Sequence, residues 1–154
     1  MFADWSIQRT VTLPFLDQIP RGFTLDNSRE KKMGSDVIAE LGVVAEGPAQ
    51  PVDSLSGGNQ QKGVVGRWLQ GDPQVLVLDE PFRGVDIGAR RTISAKARGL
   101  ASQGRGVVVF TSEVDELLEV ADRVIVMVDG VPRMDTYLSE TNREEIVNTM
   151  SEVM

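Results

Sequence analysis

Hydrophobic positions fall into two regimes along the chain. In the first half they recur at helical spacing. Met33, Val37, Ile38 and Leu41 follow one another at steps of four, one and three, the period of one helix face. The polar cluster Asp26-Asn27-Ser28 precedes them as a helix N-cap, with Glu30 in the first turn. A second helix is expected from Ser56 through Val64, Val65, Trp68 and Leu69, ending near Gly71-Asp72-Pro73. Gly34 lies inside the first of these helices, and Gly63 and Gly66 inside the second. Each costs about 1 kcal/mol relative to alanine. Residues 1–24, broken by Pro14, Pro20 and Gly22, read as irregular, and the first half offers no strand.

From residue 75 the pattern changes to short continuous apolar runs alternating with helical stretches. Val75-Leu76-Val77-Leu78 and Val107 to Thr111 read as strands covered on both faces, and Val124 to Val128 as a third strand. Asp129-Gly130 signals a hairpin, with Val131 to Tyr137 returning as an edge strand. Helices are expected over 87–102, with Ile93, Ala97 and Leu100 inward, and over Glu113 to Ala121. A last helix runs from Glu144 to Met154, with Ile146, Val147 and Met150 inward. The second half is therefore α/β with a mostly parallel sheet. The expected division is a helical subdomain at 1–72 and half of an α/β core at 73–154.

Composition narrows the chemistry. The 154 residues carry a net charge of −7, which argues against an extended nucleic-acid footprint. The chain has neither cysteine nor histidine, so a metal would rest on oxygen ligands, which favours magnesium. The longest apolar runs are strand-sized, well short of the ~20 residues of a membrane span. The N-terminal residues lack the basic and apolar regions of a signal peptide, so a cytoplasmic protein is expected.

Two motifs carry the candidate chemistry. In Leu55-Ser56-Gly57-Gly58-Asn59-Gln60-Gln61-Lys62, a serine and two glycines open a helix. Backbone N–H groups at such a start attract an anion such as phosphate. A bare Ser-Gly-Gly is more often a plain helix cap; the full octet is much rarer. Asp79-Glu80 follows the first apolar run, where Asp79 could hold Mg²⁺ and Glu80 could polarise an attacking water. The bland reading is a pair of solvated carboxylates at a strand end. Asp86, behind Arg83-Gly84-Val85, also reads as the N-cap of the next helix.

Together, LSGGNQQK, LDEP and RGVD in this order closely resemble the nucleotide-binding domain of ATP-binding cassette (ABC) transporters. In that family they correspond to the signature motif, the Walker B box and the D-loop. The Asn-Gln-Gln-Lys variant, with Arg67-Trp68-Leu69 and Glu80-Pro81-Phe82-Arg83-Gly84-Val85-Asp86, resembles the monosaccharide importers. Those proteins fuse two cassettes, and Thr111-Ser112-Glu113-Val114 and Ala121 to Met127 resemble the end of the second. The resemblance covers about Phe2 to Met150. It implies a partial P-loop NTPase-type core, with ATP and Mg²⁺ bound. Ser56, Gly57, Gly58 and Gln60 would contact a nucleotide held by the opposite cassette. Asp79 would serve as metal ligand and Glu80 as catalytic base. Asp86 would act across the dimer and Ser112 at the switch position. The implied partners are a second cassette, transmembrane permease subunits contacted by residues 10–70 and, indirectly, a periplasmic sugar-binding protein. The implied location is the inner face of the plasma membrane.

The chain departs from the family pattern in three places. No G-x-x-x-x-G-K-[ST] phosphate loop occurs in the 154 residues, so the chain reads as a fragment that begins after the glutamine loop. Ser112 stands where the switch histidine is usual, and Phe82 replaces a small polar residue. By family topology the phosphate-loop strand would lie beside Val107–Thr111, so Val107–Phe110 is expected to present an open apolar edge. A non-catalytic remnant or regulatory module is the alternative. A soluble ABC protein of DNA repair or chromosome structure is disfavoured, because the chain has no heptad stretch.

Overall fold

The computed structural model describes residues 4–21 and 24–151. Gly22 and the end of the expected last helix, through Met154, lie outside the described residues. The first described element corrects the sequence reading. α1 (Ile7–Thr12) and a 3-10 helix (Leu13–Gln18) occupy the stretch expected to be irregular. The Ser6 hydroxyl accepts from Arg9 N–H, and Pro14 sits in the first turn of the 3-10 helix, where its missing N–H costs nothing. Ile7 and Val11 are buried, which supplies the tertiary contact such a short helix needs. A small antiparallel pair, β1 (Pro20–Arg21) and β2 (Thr24–Leu25), is a further addition to a half that offered no strand.

α2 (Asn27–Leu41) begins as expected: the Asp26 carboxylate accepts from the N–H groups of Ser28 and Arg29. It ends at Gly42, whose φ of 57° is the left-handed conformation that glycine adopts without strain. α3 (Gly57–Leu69) follows the connector. Val37, Leu41, Val43, Val52 and Leu55 pack with Ile7 and Val11 in a first buried cluster.

Close packing explains two of the three helical glycines. A Cβ at Gly34 would lie 2.9 Å from the Cα of Gln8 in α1. One at Gly66 would lie 2.5 Å from Val37 Cγ1 in α2. The helices approach so closely that the propensity cost is outweighed. Around Gly63 a Cβ would meet nothing within 4 Å. Gly34→Ala is therefore expected to destabilise the fold by about 1–2 kcal/mol despite alanine's better propensity, because the obstruction is backbone. Urea titration followed by circular dichroism checks the sign.

The second half contains β3 (Val75–Asp79), α4 (Ile87–Ser102), β4 (Gly106–Phe110), α5 (Val114–Val120), β5 (Arg123–Val128), β6 (Val131–Tyr137) and α6 (Arg143–Ser151). β3 and β4 pair in parallel, with Asp79 opposite Phe110. β5 and β6 form the antiparallel hairpin, turning at Asp129 and Gly130, both at positive φ. The two pairs are not hydrogen-bonded into one sheet. This qualifies the expected mostly parallel sheet.

Among the described residues the strands are covered on one face only, which corrects the reading of β3 and β4 as buried on both. Leu76 and Leu78 join Val65, Phe82, Ile93, Ala97 and Val120 in a second cluster beneath α3, α4 and α5. Val124, Val126 and Ile146 form a third with α5 and α6. The alternate residues face outward: Val77 is 57% and Phe110 56% exposed, with Val75, Val108, Ile125 and Met127 also open. In each pair these residues alternate with the buried or half-buried ones, and among the described residues β4 has a strand neighbour on one edge alone. A continuous apolar run shows that both faces can be covered. It does not show that the cover lies in these residues. Met150, expected inward, is also exposed.

Candidate functional site

The candidate residues gather in two places, both next to the segment between β3 and α4. The first is the start of α3. Ser56 is its N-cap by backbone, but the hydroxyl makes no capping bond; it accepts from Asn59 Nδ2 at 2.9 Å. Ser56 and Gly57 are exposed, and the first turn of α3 carries no acidic side chain. The leading N–H groups of a helix have no partner within it, so this end carries partial positive charge. Gly58 is buried against the N-cap of α4. A Cβ there would lie 3.0 Å from Asp86 Oδ2 and 3.2 Å from Ala89 Cβ, and one at Gly57 would lie 3.4 Å from the Gly84 carbonyl. Asp86 caps α4 as expected, accepting from Ala89 N–H at 2.8 Å. Gln60 lies in the first turn of α3 and its Nε2 donates back to the Leu55 carbonyl at 3.0 Å.

The second place is the carboxyl end of β3 and β4. Asp79 is exposed at the strand end, and its carboxylate makes no hydrogen bond or ion pair among the described residues. Glu80 has φ of 44°, in the left-handed region. Asp72 and Asp129 share that region in turns, where aspartate is common; a glutamate there is unusual. Its N–H donates to the Phe110 carbonyl at 2.9 Å, and its Oε1 accepts from Ser112 N–H at 3.2 Å. Glu80 and Ser112 are thus brought together. A cleft of about 650 Å³ opens beside them, lined by Glu80, Arg83, Arg90, Ser112, Glu113 and Glu116 among others. Phe82 is buried in the second cluster and roots the segment between Glu80 and Asp86.

Sequence reasoning placed Thr111 and Gly84 inside the resembling segments without giving either a role, and missed Glu116 altogether. Gly84 has φ of 71°, which its place in a short Gly-containing turn could have suggested. Around the site, α5 is tied to α6 by Arg143 and Asp115 at 2.8 Å and to α4 by Arg90 and Glu119 at 3.0 Å. The Arg143 hydrogen bond and charge hold the Asp115 carboxyl below its ordinary range. A depressed carboxyl stabilises the fold at neutral pH, and that contribution is lost only as acid protonates Asp115.

Mg²⁺ binds proteins through one or two carboxylates and otherwise through water and substrate phosphates. A single open carboxylate such as Asp79 fits that habit. Among the described residues no group of three acidic side chains could cage a metal on its own.

Comparison with known proteins agrees with this geometry. No protein-family model matches the chain. The ribose import ATP-binding protein RbsA of Bacillus cereus is 42% identical over 147 residues, 96% of this chain and 30% of that protein. The galactose/methyl galactoside import ATP-binding protein MglA of Escherichia coli is 42% identical over 127 residues, 82% of this chain and 25% of its own length. The chain thus spans between a quarter and a third of these relatives. Among solved structures, a dimeric ATP-binding cassette in a post-hydrolysis state, bound to ADP and phosphate, superposes with a TM-score of 0.74. The identity is 22%, and the match covers 90% of this chain and 59% of that one. The ADP conformation of another cassette gives 0.69 at 20% identity, over 97% of this chain and 60% of its own. These structures speak for the fold; the sequence likeness speaks for descent. The chain belongs to the ATP-binding cassette family, on the branch of the monosaccharide import proteins.

Proposed function

We propose that the chain is the signature-bearing portion of an ATP-binding subunit that powers sugar import, corresponding to the end of a second cassette. The carrying observation is the contact of the α3 start with the loop before α4. Gly58 and Asp86 approach so closely that no Cβ fits between them without a shift. Signature and D-loop therefore form one surface, and its exposed members, Ser56 and Gly57, are free to meet an anion from outside.

On this reading Ser56, Gly57 and Gly58 face the phosphates of an ATP held by another cassette. Asp79 is the residue that would hold Mg²⁺, which neutralises phosphate charge when bound. Glu80 orients water, Ser112 holds the Glu80 carboxylate by its N–H, and Asp86 lies where the two cassettes meet. Gln60 would contact the same nucleotide, and its Nε2 braces the turn into α3 through the Leu55 carbonyl. The division at residue 72 is a functional one: 1–72 presents the signature and would meet the permease, and 73–154 carries the acids. The permease, and through it a periplasmic binding protein, would place the chain at the inner face of the plasma membrane. Among the described residues no helix is long and apolar enough to cross it.

The 154 residues contain no phosphate loop, so neither the lysine nor the nest of N–H groups that neutralises β- and γ-phosphates is present in them. The open face of β3, β4 and β5 supports the same view: it is built to be covered. The isolated chain is expected to hydrolyse ATP at background rate, and Glu80→Gln to leave that rate unchanged. Turnover by the purified chain that Glu80→Gln abolishes would sink the reading. The missing loop also favours a second reading, a non-catalytic or regulatory module. Nucleotide titration with an intact partner cassette separates the two, since a module of that kind gains no ATP-dependent association.

A further inference from the structure

We propose that Thr111 and Glu116 are positioning residues that hold the Glu80 carboxylate in place from α5. The inference rests on the reading of Glu80 as the water-orienting base.

The left-handed backbone of Glu80 is unfavourable for a residue with a Cβ, by about 1 kcal/mol or more, so surrounding contacts must impose it. Two hydrogen bonds do so, and both come from residues flanking Thr111. The Phe110 carbonyl accepts the Glu80 N–H at 2.9 Å, and the Ser112 N–H donates to Glu80 Oε1 at 3.2 Å. Whatever fixes the turn at 110–112 therefore fixes Glu80.

Thr111 fixes that turn with both capacities of its hydroxyl. Oγ1 donates to Glu116 Oε2 at 2.7 Å and accepts from Glu113 N–H at 3.1 Å. The first bond ends on a carboxylate, is short and half-buried, and belongs to the stronger class of hydrogen bonds. Glu116 lies in the first turn of α5, and its N–H bonds the Glu113 carbonyl at 3.1 Å. α5 is itself held at Glu119 by Arg90, at Asp115 by Arg143 and at the Val120 carbonyl by Arg98. The order of restraint runs from α4 and α6 to α5, to Glu116, to Thr111, to the Ser112 N–H and so to Glu80. Without it a half-buried glutamate just past the strand end would sample several rotamers. Neither residue touches the reacting atoms; both act through Ser112.

The test uses the intact chain and needs no nucleotide, so it is separate from the question of whether Glu80 is the base, which turnover decides. In ¹⁵N-edited NMR the Ser112 amide proton, hydrogen-bonded to the Glu80 carboxylate, should lie downfield, and Glu80→Ala should move it upfield by removing the acceptor. Thr111→Val and Glu116→Ala should produce the same upfield shift, while Thr111→Ser and Glu116→Gln, which keep the donor and acceptor atoms, should leave the amide at its native position. The remaining amide spectrum reports whether each variant is folded, and Glu116→Ala alters an α5 side chain outside the strand. A Ser112 amide that keeps its native shift in Thr111→Val and Glu116→Ala, while Glu80→Ala moves it, would overturn the proposal.

Discussion

Truncating Phe82 to alanine is expected to cost about 3–5 kcal/mol of folding stability, the usual range for a buried phenylalanine. Phe82 is 3% exposed and packs with Leu76, Leu78 and Ile93 where strand and helix meet. Total stability of a domain is only about 5–15 kcal/mol, and here one face of the strands contributes nothing. Most Phe82→Ala molecules should therefore unfold at denaturant concentrations the native chain tolerates. Phe82→Leu, which keeps most of the volume, should cost about 1.5 kcal/mol or less. Equilibrium urea unfolding compares the two. A small shift in both would mean that the aromatic ring is not part of the core. The prediction bears on function because Phe82 roots the segment that carries Glu80 at one end and Asp86 at the other. The resemblance presented Phe82 as a departure from a small polar residue; the structure gives it a packing role.

Gly57→Asp should separate folding from nucleotide contact. Gly57 is exposed at the helix start, and a Cβ there meets the Gly84 carbonyl at an ordinary 3.4 Å. An acidic side chain in the first turn of a helix stabilises it by about 0.3–1 kcal/mol. The fold should hold or gain slightly. The same charge faces the phosphates in the proposed shared site and displaces N–H groups that would bond them. Losing one or two charge-assisted bonds of about 1.5–3 kcal/mol corresponds to a loss of at least about tenfold in ATP-dependent association. Thermal melts and association measurements on the same variant give the two signs. An ordinary helix cap would show the first effect without the second.

Much of this fold can be read from residue order. The periodicity of Met33 to Leu41, the apolar stripe of α4 and the Asp129-Gly130 turn place their elements within a residue or two. What could not be read has physical causes. α1 carries only Ile7 and Val11 as fully buried apolar positions in a six-residue helix, too few to stand out as a period, and Pro14 reads as a breaker although it fits a first turn. Gly34 and Gly66 look like weaknesses until the neighbouring helix is seen at their Cα atoms. Val75-Leu76-Val77-Leu78 implies two covered faces, yet among the described residues only the face of Leu76 and Leu78 is covered. At the site, Asp86 and the backbone role of Ser56 follow from capping rules. The left-handed Glu80 depends on Phe110 and Ser112, about thirty residues away, and no local pattern announces it.

Whether this chain presents a signature surface to ATP held elsewhere is decided most directly by size-exclusion chromatography with light scattering. The chain is run alone and mixed with a complete ribose- or galactose-import ATP-binding protein, with and without Mg-ATP. A complex should form only when ATP and the complete protein are both present, and Gly57→Asp should prevent it. A chain that binds and hydrolyses ATP alone, and gains no association from the partner, would contradict the shared site.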